Sequence, residues 1–475
     1  MKRGEPAHAP SHVSGASGGS APSTWSRAPG GEGVYEDVDA ACQAAQRAYE
    51  EFQALGFNAR AKLVEAIRAT ALANLERWSR DAVAETGLGR VADKIEKNRL
   101  VALRTPGPEF LGRPETFTGS DGLTTTERAP FGVIASIIPC TNSTETVVNN
   151  GISMLAAGNS VVFGPHPLAR KVSAEAARAL NRAIHAAGGP RELLCMLSDP
   201  SIENANALMT HPLPRLVMVT GGGAVVQAAM KSGKRAICAG PGNPPAVVDE
   251  TADVARAGRD IVRGASLDNN IVCTDEKVTV AVASIADELK AAMLKAGCIE
   301  VKGAEIEKLT ALVLAEPGGP RTGKHGAPNR AFVGKNASVI LRELGVNASD
   351  EIRLVLADVP EDHPLAWTEQ LMPVMPLVRV RDAEAAIHYA VAVEDNRRHT
   401  ASIHSRNIDR ITAYARAINC SICIANAPNF SGLGLGGEGY TSFSIATPTG
   451  EGKTTCRSFT RERRLALCGG ALNFV

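Results

Sequence analysis

Short apolar runs alternate with helical stretches between residues 132 and 230, and this alternation constrains the fold more than any other feature. The apolar runs cover residues 132–138, 160–163 and 216–220, and helical periodicity covers about 145–157, 169–187 and 224–230. Apolar runs of this length, bounded by glycine and proline, are typical of strands that are buried on both faces. Strands that alternate with helices predict a doubly wound parallel sheet, so the expected fold class is α/β.

Polar and glycine-rich residues follow each of these predicted strands. They are Pro139, Thr141 and Asn142 after the first strand, Gly164, Pro165 and His166 after the second, and Thr220, Gly221 and Gly222 after the third. Ligands of such sheets bind beyond the carboxyl ends of the strands, so these segments are candidates for a binding site. The glycines after Thr220 could receive a phosphate on free amides at the start of a helix, although a tight turn explains them equally well. The G-x-G-x-x-G pattern at 432–437 follows no clear strand and opens no helix, so we do not interpret it as a dinucleotide fingerprint.

Cys273 stands between an amide-rich turn, residues 268–270, and a predicted apolar strand over 277–282. Backbone amides could hold the sulfur there while a cleft keeps it accessible. A thiol near positive dipoles has a pKa below its ordinary value of about 8.5, which is what a cysteine nucleophile needs. A cysteine taken alone is more often a small buried hydrophobic residue, and it is the surrounding sequence that favours the nucleophile.

The length and composition indicate an ordinary multidomain globular protein. The chain has 475 residues, 44% apolar and 21% charged, which is enough for two or more large cores. A net charge of +1 gives no reason to expect nucleic acid or an anionic membrane surface as a partner. The ten cysteines are irregularly spaced, so we expect a reducing, cytoplasmic location rather than a disulfide framework.

We predict no metal site and no membrane span. Cys420 and Cys423 form a lone C-x-x-C pair without the second pair of a zinc site, and the ten histidines are scattered. The chain also contains no uninterrupted apolar stretch of about 18 residues.

The remaining segments are predicted from composition and periodicity. Residues 1–33 are rich in Gly, Ser, Ala and Pro and lack the apolar core of a secretory signal, so we expect a disordered extension. Apolar residues at helical spacing predict two or three amphipathic helices from residue 34 to about 103. Residues 115–128 resemble a polar β-hairpin with its turn at 119–122.

Several longer motifs together carry a resemblance to a known family. They are residues 130–133, 141–142, 149–159, 163–167, 240–245, 268–273 and 448–452. With these motifs the chain resembles the aldehyde dehydrogenase superfamily from about residue 40 to its C-terminus. Within that superfamily it is similar to the CoA-acylating acetaldehyde and propionaldehyde dehydrogenases, which include enzymes of bacterial microcompartments.

The resemblance implies three structural parts. A nucleotide-binding domain for NAD and coenzyme A would comprise residues 34–114 and 131–241, and a catalytic domain would comprise residues 242–450. Residues 115–130 and 451–475 would form a β element that joins subunits, so a homodimer or homotetramer is expected. Cys273 would lie in the cleft between the two domains.

The resemblance also implies roles for individual residues. Cys273 matches the family nucleophile, and Asn142 matches the asparagine whose amide stabilises the oxyanion together with the Cys273 backbone N–H. Glu369 matches the glutamate that holds the nicotinamide ribose, and Gly240 is also expected to contact the cofactor. His399 matches a histidine of the CoA-acylating branch that assists proton or thiol transfer, although a satisfied core histidine fits it equally well. Gly164 stands where hydrolytic relatives carry a lysine, which leaves the choice between NAD and NADP open.

Ala239 distinguishes the branches of the superfamily. Hydrolytic relatives carry a glutamate at this position, and the glutamate activates water. Here the sequence is Cys238-Ala239-Gly240, and a methyl group cannot act as a general base. The expected reaction is therefore acyl transfer from Cys273 to CoA. A hydrolytic dehydrogenase, the same enzyme running from acyl-CoA to aldehyde, and an inactive scaffold or shell-associated protein are the alternatives.

Overall fold

The computed structural model describes residues 32–320, 322–470 and 472. Most of the predicted disordered extension, residues 1–31, therefore lies outside the described residues. The two residues that follow already contact the rest of the protein. Glu32 forms an ion pair with Arg182 at 2.6 Å, and the Gly33 carbonyl accepts a hydrogen bond from the Met196 N–H at 2.7 Å.

Between residues 32 and 239, the structure contains eight α-helices and eight strands. The helices are α1 (Val38–Ala54), α2 (Phe57–Ala73), α3 (Leu75–Thr86), α4 (Val91–Arg104), α5 (Ser143–Ala156), α6 (Arg170–Ala186), α7 (Ile202–Thr210) and α8 (Gly223–Met230). The strands are β1 (Val34–Tyr35), β2 (Glu115–Gly119), β3 (Gly122–Pro130), β4 (Val133–Ile137), β5 (Ser160–Gly164), β6 (Leu194–Leu197), β7 (Leu216–Thr220) and β8 (Arg235–Ala239).

Six of these strands form a parallel sheet in the order β1-β6-β5-β4-β7-β8. Its two faces bury separate apolar clusters, because neighbouring side chains of a strand point to opposite faces. In β4, for example, Ile134 packs into one cluster and Val133 and Ala135 pack into the other. Strands β5 and β6 are added on one side of β4, and β7 and β8 are added on the other side. The order of the strands therefore reverses between β4 and β7, which is where doubly wound sheets bind ligands.

The described residues from 240 onward form seven α-helices and twelve strands. The helices are α9 (Val254–Ala265), α10 (Ala286–Lys295), α11 (Ala304–Val313), α12 (Ala337–Glu343), α13 (Pro364–Trp367), α14 (Ala383–Glu394) and α15 (Ile408–Ile418). The strands are β9 (Pro245–Val248), β10 (Val278–Val282), β11 (Cys298–Val301), β12 (Leu314–Glu316), β13 (Ala327–Pro328), β14 (Leu354–Val359), β15 (Val374–Val380), β16 (Thr400–His404), β17 (Ile422–Ala425), β18 (Ile445–Ala446), β19 (Gly452–Lys453) and β20 (Thr460–Cys468).

Seven of these strands form a second parallel sheet in the order β11-β14-β15-β10-β9-β16-β17. It is also covered on both faces, since Val278 and Val280 of β10 pack into one cluster and Ala281 packs into another. Two doubly wound α/β units are what the resemblance implied, and this part of the fold prediction is confirmed.

A small antiparallel sheet combines the predicted hairpin with the end of the chain. Strands β2 and β3 pair with each other, and β20 pairs with β3 along its whole length from Thr460 to Cys468. Most residues of β2 and β20 are exposed, so this sheet projects from the body. The hairpin prediction over 115–128 was correct in type, and the structure extends β3 to Pro130.

The prediction of two or three N-terminal helices was wrong, because four helices occupy this region. Leu75 continues the apolar period of α2, but the chain breaks at Asn74 and Leu75 begins α3. A second break at Gly87, which adopts a left-handed conformation (φ 68°), ends α3. The sequence interpretation also missed β1, β6 and β8, which complete the first sheet, and it assigned the residues of β1 to the helical region.

In the ranges 32–320 and 322–470, no helix combines the length and the apolarity that a bilayer crossing requires.

Candidate active site

The candidate site lies where the carboxyl end of the first sheet faces the amino end of the second. The loops that follow β4 and β7 carry Asn142 and Gly222. Four neighbouring strands of the second sheet, β15, β10, β9 and β16, begin just after Glu369, Cys273, Gly242 and His399 respectively. The topology thus brings together segments that are far apart in the sequence.

Cys273 is partly exposed, and at neutral pH its thiol is almost entirely protonated. Burial raises the pKa of Cys273 to about 12, and the negative charge of Glu369 adds to this effect. Lys277 and the Cys273 backbone amide oppose it. The prediction of a lowered pKa was therefore wrong, because one amide and one lysine do not outweigh burial and a neighbouring carboxylate.

The turn before Cys273 has an unusual backbone. Asp268, Asn269 and Asn270 have φ values of 48°, 58° and 65°, so three consecutive residues adopt the left-handed conformation. Asp and Asn tolerate this conformation better than other side chains, and such strain persists where the surroundings enforce it. Here the side-chain NH₂ group of Asn269 donates to Gly334 O at 2.9 Å, and that of Asn270 donates to Ala265 O at 2.6 Å.

Lys277 binds the residues just before Cys273. Its fully buried ammonium donates to Asn270 O at 2.7 Å, to Asn270 Oδ1 at 2.6 Å and to Val272 O at 3.0 Å. All three N–H groups of Lys277 are therefore used to fix the residues just before Cys273. Burial lowers the pKa of Lys277, and the nearby carboxylate of Asp275 opposes this. Sequence reasoning missed Lys277, because it resembles the first residue of a strand.

Asn142 immediately precedes α5, and a buried lysine from α4 holds its side chain. Lys97 Nζ donates to Asn142 Oδ1 at 2.6 Å and to Asp268 Oδ2 at 2.5 Å. Because Asp268 lies five residues before Cys273, this contact connects the predicted oxyanion amide to the segment of the predicted nucleophile. Sequence reasoning missed Lys97 and its neighbour Lys94; their i,i+3 spacing places them on one face of α4, but lysine normally marks an exposed face.

His399 lies fully buried across Gly242 from Cys273. A Cβ atom at Gly242 would lie 2.9 Å from both the Cys273 carbonyl oxygen and His399 Cγ, so only glycine fits between them. His399 Nδ1 is 2.9 Å from the Thr400 hydroxyl, and Nε2 has no hydrogen-bond partner among the described residues. Burial lowers the pKa of His399 to about 3, with a further contribution from Lys277, so the ring is neutral.

Glu369 lies beside the same glycine. Its Oε1 accepts a hydrogen bond from the Gly242 N–H at 3.2 Å, and the side chain lines the cleft. Burial raises the pKa of Glu369, whereas the cations Lys277 and Arg397 oppose this.

A cavity of about 950 Å³ extends from Glu369 toward α8. Gly222 and Gly223 line one side of the cavity, and Arg397, Pro241 and Pro448 line other parts of it. A Cβ atom at Gly222 or Gly223 would meet no other atom within 4 Å, so there is open space beside the backbone at the start of α8. The first N–H groups of a helix have no partner within the helix, so they are free to bind a ligand there. The volume, the free amides and an arginine together fit a nucleotide that carries phosphate groups.

The predicted nucleotide-binding residues are not all found together. Gly222 and Glu369 line the 950 Å³ cavity, and Gly240 lies directly behind it, since a Cβ atom there would be 2.8 Å from Pro448 Cγ. The Thr220 hydroxyl is 3.2 Å from that of Ser444, and Gly221 donates its backbone N–H to Ala239 O at 3.1 Å.

The other predicted residues lie at the ends of β4 and β5. Pro139 is partly exposed, and the Thr141 carbonyl accepts a hydrogen bond from Lys94 Nζ at 3.1 Å. Pro165 is buried, and His166 Nδ1 accepts the Leu168 N–H at 3.2 Å. A Cβ atom at Gly164 would approach Ile137 Cδ1 to 2.7 Å, so packing against β4 explains this glycine.

Ala239 is 4% exposed and packs with Ile237 into the apolar cluster on one face of the first sheet. Its methyl group provides no base for water activation.

Within residues 32–320, 322–470 and 472, no group of three or more His, Cys, Asp or Glu side chains is placed to hold a metal ion. All ten cysteines, including Cys420 and Cys423, are free thiols.

The fold and the cleft define a class: α/β proteins with two doubly wound parallel sheets and a partly exposed cysteine near a cavity large enough for a nucleotide. The sequence pattern of the aldehyde dehydrogenase family matches residues 26–303 and 353–460. The chain therefore belongs to the aldehyde dehydrogenase family, which confirms the resemblance.

Individual relatives cover nearly the whole chain. The acetylating acetaldehyde dehydrogenase EutE of Salmonella typhimurium is 48% identical over 436 residues, which are 92% of this chain and 92% of the relative. The crystal structure of Rhodopseudomonas palustris propionaldehyde dehydrogenase, with bound CoA and an acylated cysteine, has a TM-score of 0.89 and 45% identity and covers 94% of this chain and 100% of that chain. A propionaldehyde dehydrogenase from the fucose utilisation microcompartment of Clostridium phytofermentans has a TM-score of 0.88 and 42% identity, covering 92% of this chain and 99% of that chain.

Proposed function

We propose that this protein is a CoA-acylating aldehyde dehydrogenase. It converts a short-chain aldehyde, NAD and CoA into acyl-CoA and NADH through a thioester on Cys273. The observation that carries the proposal is the pairing of a cleft cysteine with Ala239 where a water-activating glutamate would stand. The acylated cysteine and bound CoA of the Rhodopseudomonas palustris relative support the same chemistry.

The reaction begins with removal of the Cys273 proton. Because burial raises the pKa of Cys273 to about 12, the thiol needs a local acceptor when it attacks the aldehyde. His399 lies across Gly242 from Cys273 and its Nε2 atom has no partner among the described residues, so we assign it the relay of this proton out of the cleft. Burial lowers the pKa of His399 to about 3, far below that of the thiol, so the ring does not take the proton from a resting thiol and the proton leaves as the C–S bond forms. The new C–S bond gives a thiohemiacetal oxyanion, which the Asn142 amide and the Cys273 backbone N–H stabilise.

The next steps form and resolve the thioester. Bound NAD supplies the hydride acceptor, and Glu369 together with the amides of Gly222 and Gly223 would hold its ribose and phosphates. Loss of hydride leaves an acyl thioester on Cys273. Without a base at Ala239, water attacks this thioester slowly. The CoA thiol, which ionises more readily than water, attacks instead, and Cys273 leaves as a thiolate.

We also propose that the protein assembles into a homodimer or homotetramer through the sheet of β2, β3 and β20. The exposed side chains of Phe117 and Leu465 on this projecting sheet support an interface there. Encapsulation in a bacterial microcompartment is a further hypothesis, supported by the Clostridium phytofermentans relative.

Product analysis tests the proposed function. Purified protein is incubated with propanal and NAD, with and without CoA, and NADH, propanoyl-CoA and propanoate are quantified. With CoA we expect propanoyl-CoA and NADH to accumulate in equal amounts, and without CoA we expect no propanoyl-CoA and at most one NADH per Cys273. Cys273→Ala should abolish both products, whereas Cys140→Ala, which removes another partly exposed thiol, should retain them. Free propanoate as the main product would favour the hydrolytic alternative, and no product would favour an inactive scaffold.

A further inference from the structure

We propose that Lys97 is a positioning residue for the oxyanion site. It fixes the Asn142 amide so that its NH₂ group, and not its carbonyl oxygen, faces the reacting carbonyl. The inference rests on the proposed function, because it assigns Lys97 a role in the step that forms the thiohemiacetal.

The direction of the hydrogen bond supports this role. A lysine ammonium has three N–H donors and no acceptor, so it can bind only the oxygen of a neighbouring amide. Lys97 Nζ lies 2.6 Å from Asn142 Oδ1, and both side chains are buried. Among the described residues, the Asn142 NH₂ group makes only a long contact of 3.4 Å, to the Thr141 hydroxyl. Its donor capacity therefore remains available for an oxyanion.

The charge of Lys97 adds to this effect. Burial opposes the ammonium form, but the carboxylates of Asp268 and Glu145 hold the pKa of Lys97 above its usual value. The ammonium lies 2.5 Å from Asp268 Oδ2 and 3.3 Å from Glu145 Oε1. A cation on the carbonyl oxygen of an amide withdraws electron density and makes the N–H groups stronger donors.

Lys94 provides a matched control within the same helix. It is also buried and also contacts Asp268 Oδ2, at 2.9 Å. Its other hydrogen bond goes to the backbone carbonyl of Thr141 at 3.1 Å instead of to the Asn142 side chain. A change at Lys94 therefore disturbs the same carboxylate without releasing the amide.

A double-mutant cycle separates the positioning role from a purely structural one. Lys97→Met, Asn142→Ala and the double variant are compared for the single-turnover rate of NADH formation with propanal. The alkylation rate of Cys273 by iodoacetamide is measured alongside. Asn142→Ala should slow NADH formation by about 10²–10³-fold, as expected for loss of an oxyanion donor. Lys97→Met should slow it by about 10–100-fold in the parent and by less than about twofold in the Asn142→Ala background.

The controls keep the proposal open to refutation. Lys94→Met should give the same fold-change in both backgrounds, and alkylation of Cys273 should stay within about threefold in the Lys97 and Asn142 variants. An equal loss for Lys97→Met in both backgrounds would overturn the proposal, because Lys97 would then act independently of Asn142. If Lys97→Met does not fold, the cycle is run with Lys97→Met combined with Glu145→Gln, which removes a buried carboxylate together with its cation. An Asn142→Ala variant with parental rate would refute the oxyanion role itself and so identify a failure of the proposed function.

Discussion

Removing the charge of Glu369 should make Cys273 more reactive toward alkylating agents. After burial, the negative charge of Glu369 is the largest cause of the raised pKa of Cys273, which is about 12. At pH 9 only about one thiol in 10³ is then ionised. Glu369→Gln removes a like charge, so the pKa of Cys273 should fall and the thiolate fraction should rise.

The size of the effect follows from the surrounding charges. A neighbouring like charge commonly shifts a pKa by about 1–3 units. Lys277 and Arg397 partly offset the charge of Glu369, so we expect a fall of about one unit. Below its pKa, a thiol gains about tenfold in thiolate fraction for each unit by which the pKa falls, which corresponds to about 1.4 kcal/mol.

The assay is the rate of iodoacetamide alkylation of Cys273 between about pH 8 and pH 10, followed by mass spectrometry of the cysteine-containing peptide. Glu369→Gln should react about tenfold faster than the parent at each pH. Glu250→Gln serves as the control, because Glu250 pairs with Arg410 at 2.6 Å and is not among the causes of the Cys273 shift. An unchanged or slower reaction in Glu369→Gln would refute this account of the thiol.

Two further predictions concern buried positions. Lys277→Met removes three buried hydrogen bonds, so the melting temperature should fall by an amount equivalent to about 3–5 kcal/mol. It also removes a cation that lowers the pKa of Cys273, so alkylation of Cys273 at pH 9 should slow. An unchanged melting temperature and alkylation rate would contradict the role of Lys277 in holding the segment before Cys273. Ala239→Glu places a carboxylate in the apolar cluster beside Ile237, so thermal denaturation should give a lower melting temperature. Product analysis should show no sustained propanoate production. Efficient hydrolysis by this variant would contradict this prediction and show that the site accepts a base.

Much of the first sheet could be predicted from the sequence, because its strands are short apolar runs buried on both faces. The predicted strand over 216–220 matches β7, and the prediction over 132–138 exceeds β4 by one residue at each end. The strands β6 and β8 were missed, because Leu194–Leu197 is only four residues long and Arg235–Ala239 begins with a charged residue. Local patterns of this kind do not distinguish a short strand from a loop.

The chemistry of the site was less predictable than its location. Cys273 could be selected from its own surroundings, but the pKa of its thiol depends on Glu369, which is 96 residues away and reaches Cys273 only through the order of the strands in the second sheet. The contact between Lys97 and Asn142 likewise joins residues 45 positions apart. Such contacts follow from the packing of α4 against two loops, and no periodicity within a single segment indicates them.

The most direct test of the central claim is a measurement of NADH in the absence of CoA. Protein, propanal and NAD are mixed rapidly, NADH is followed by absorbance, and CoA is added after the signal becomes constant. Because Ala239 supplies no base, we predict a burst of at most one NADH per Cys273, very slow turnover afterwards, and steady formation of NADH and propanoyl-CoA once CoA is present. Sustained NADH formation with release of free propanoate before CoA is added would contradict the account.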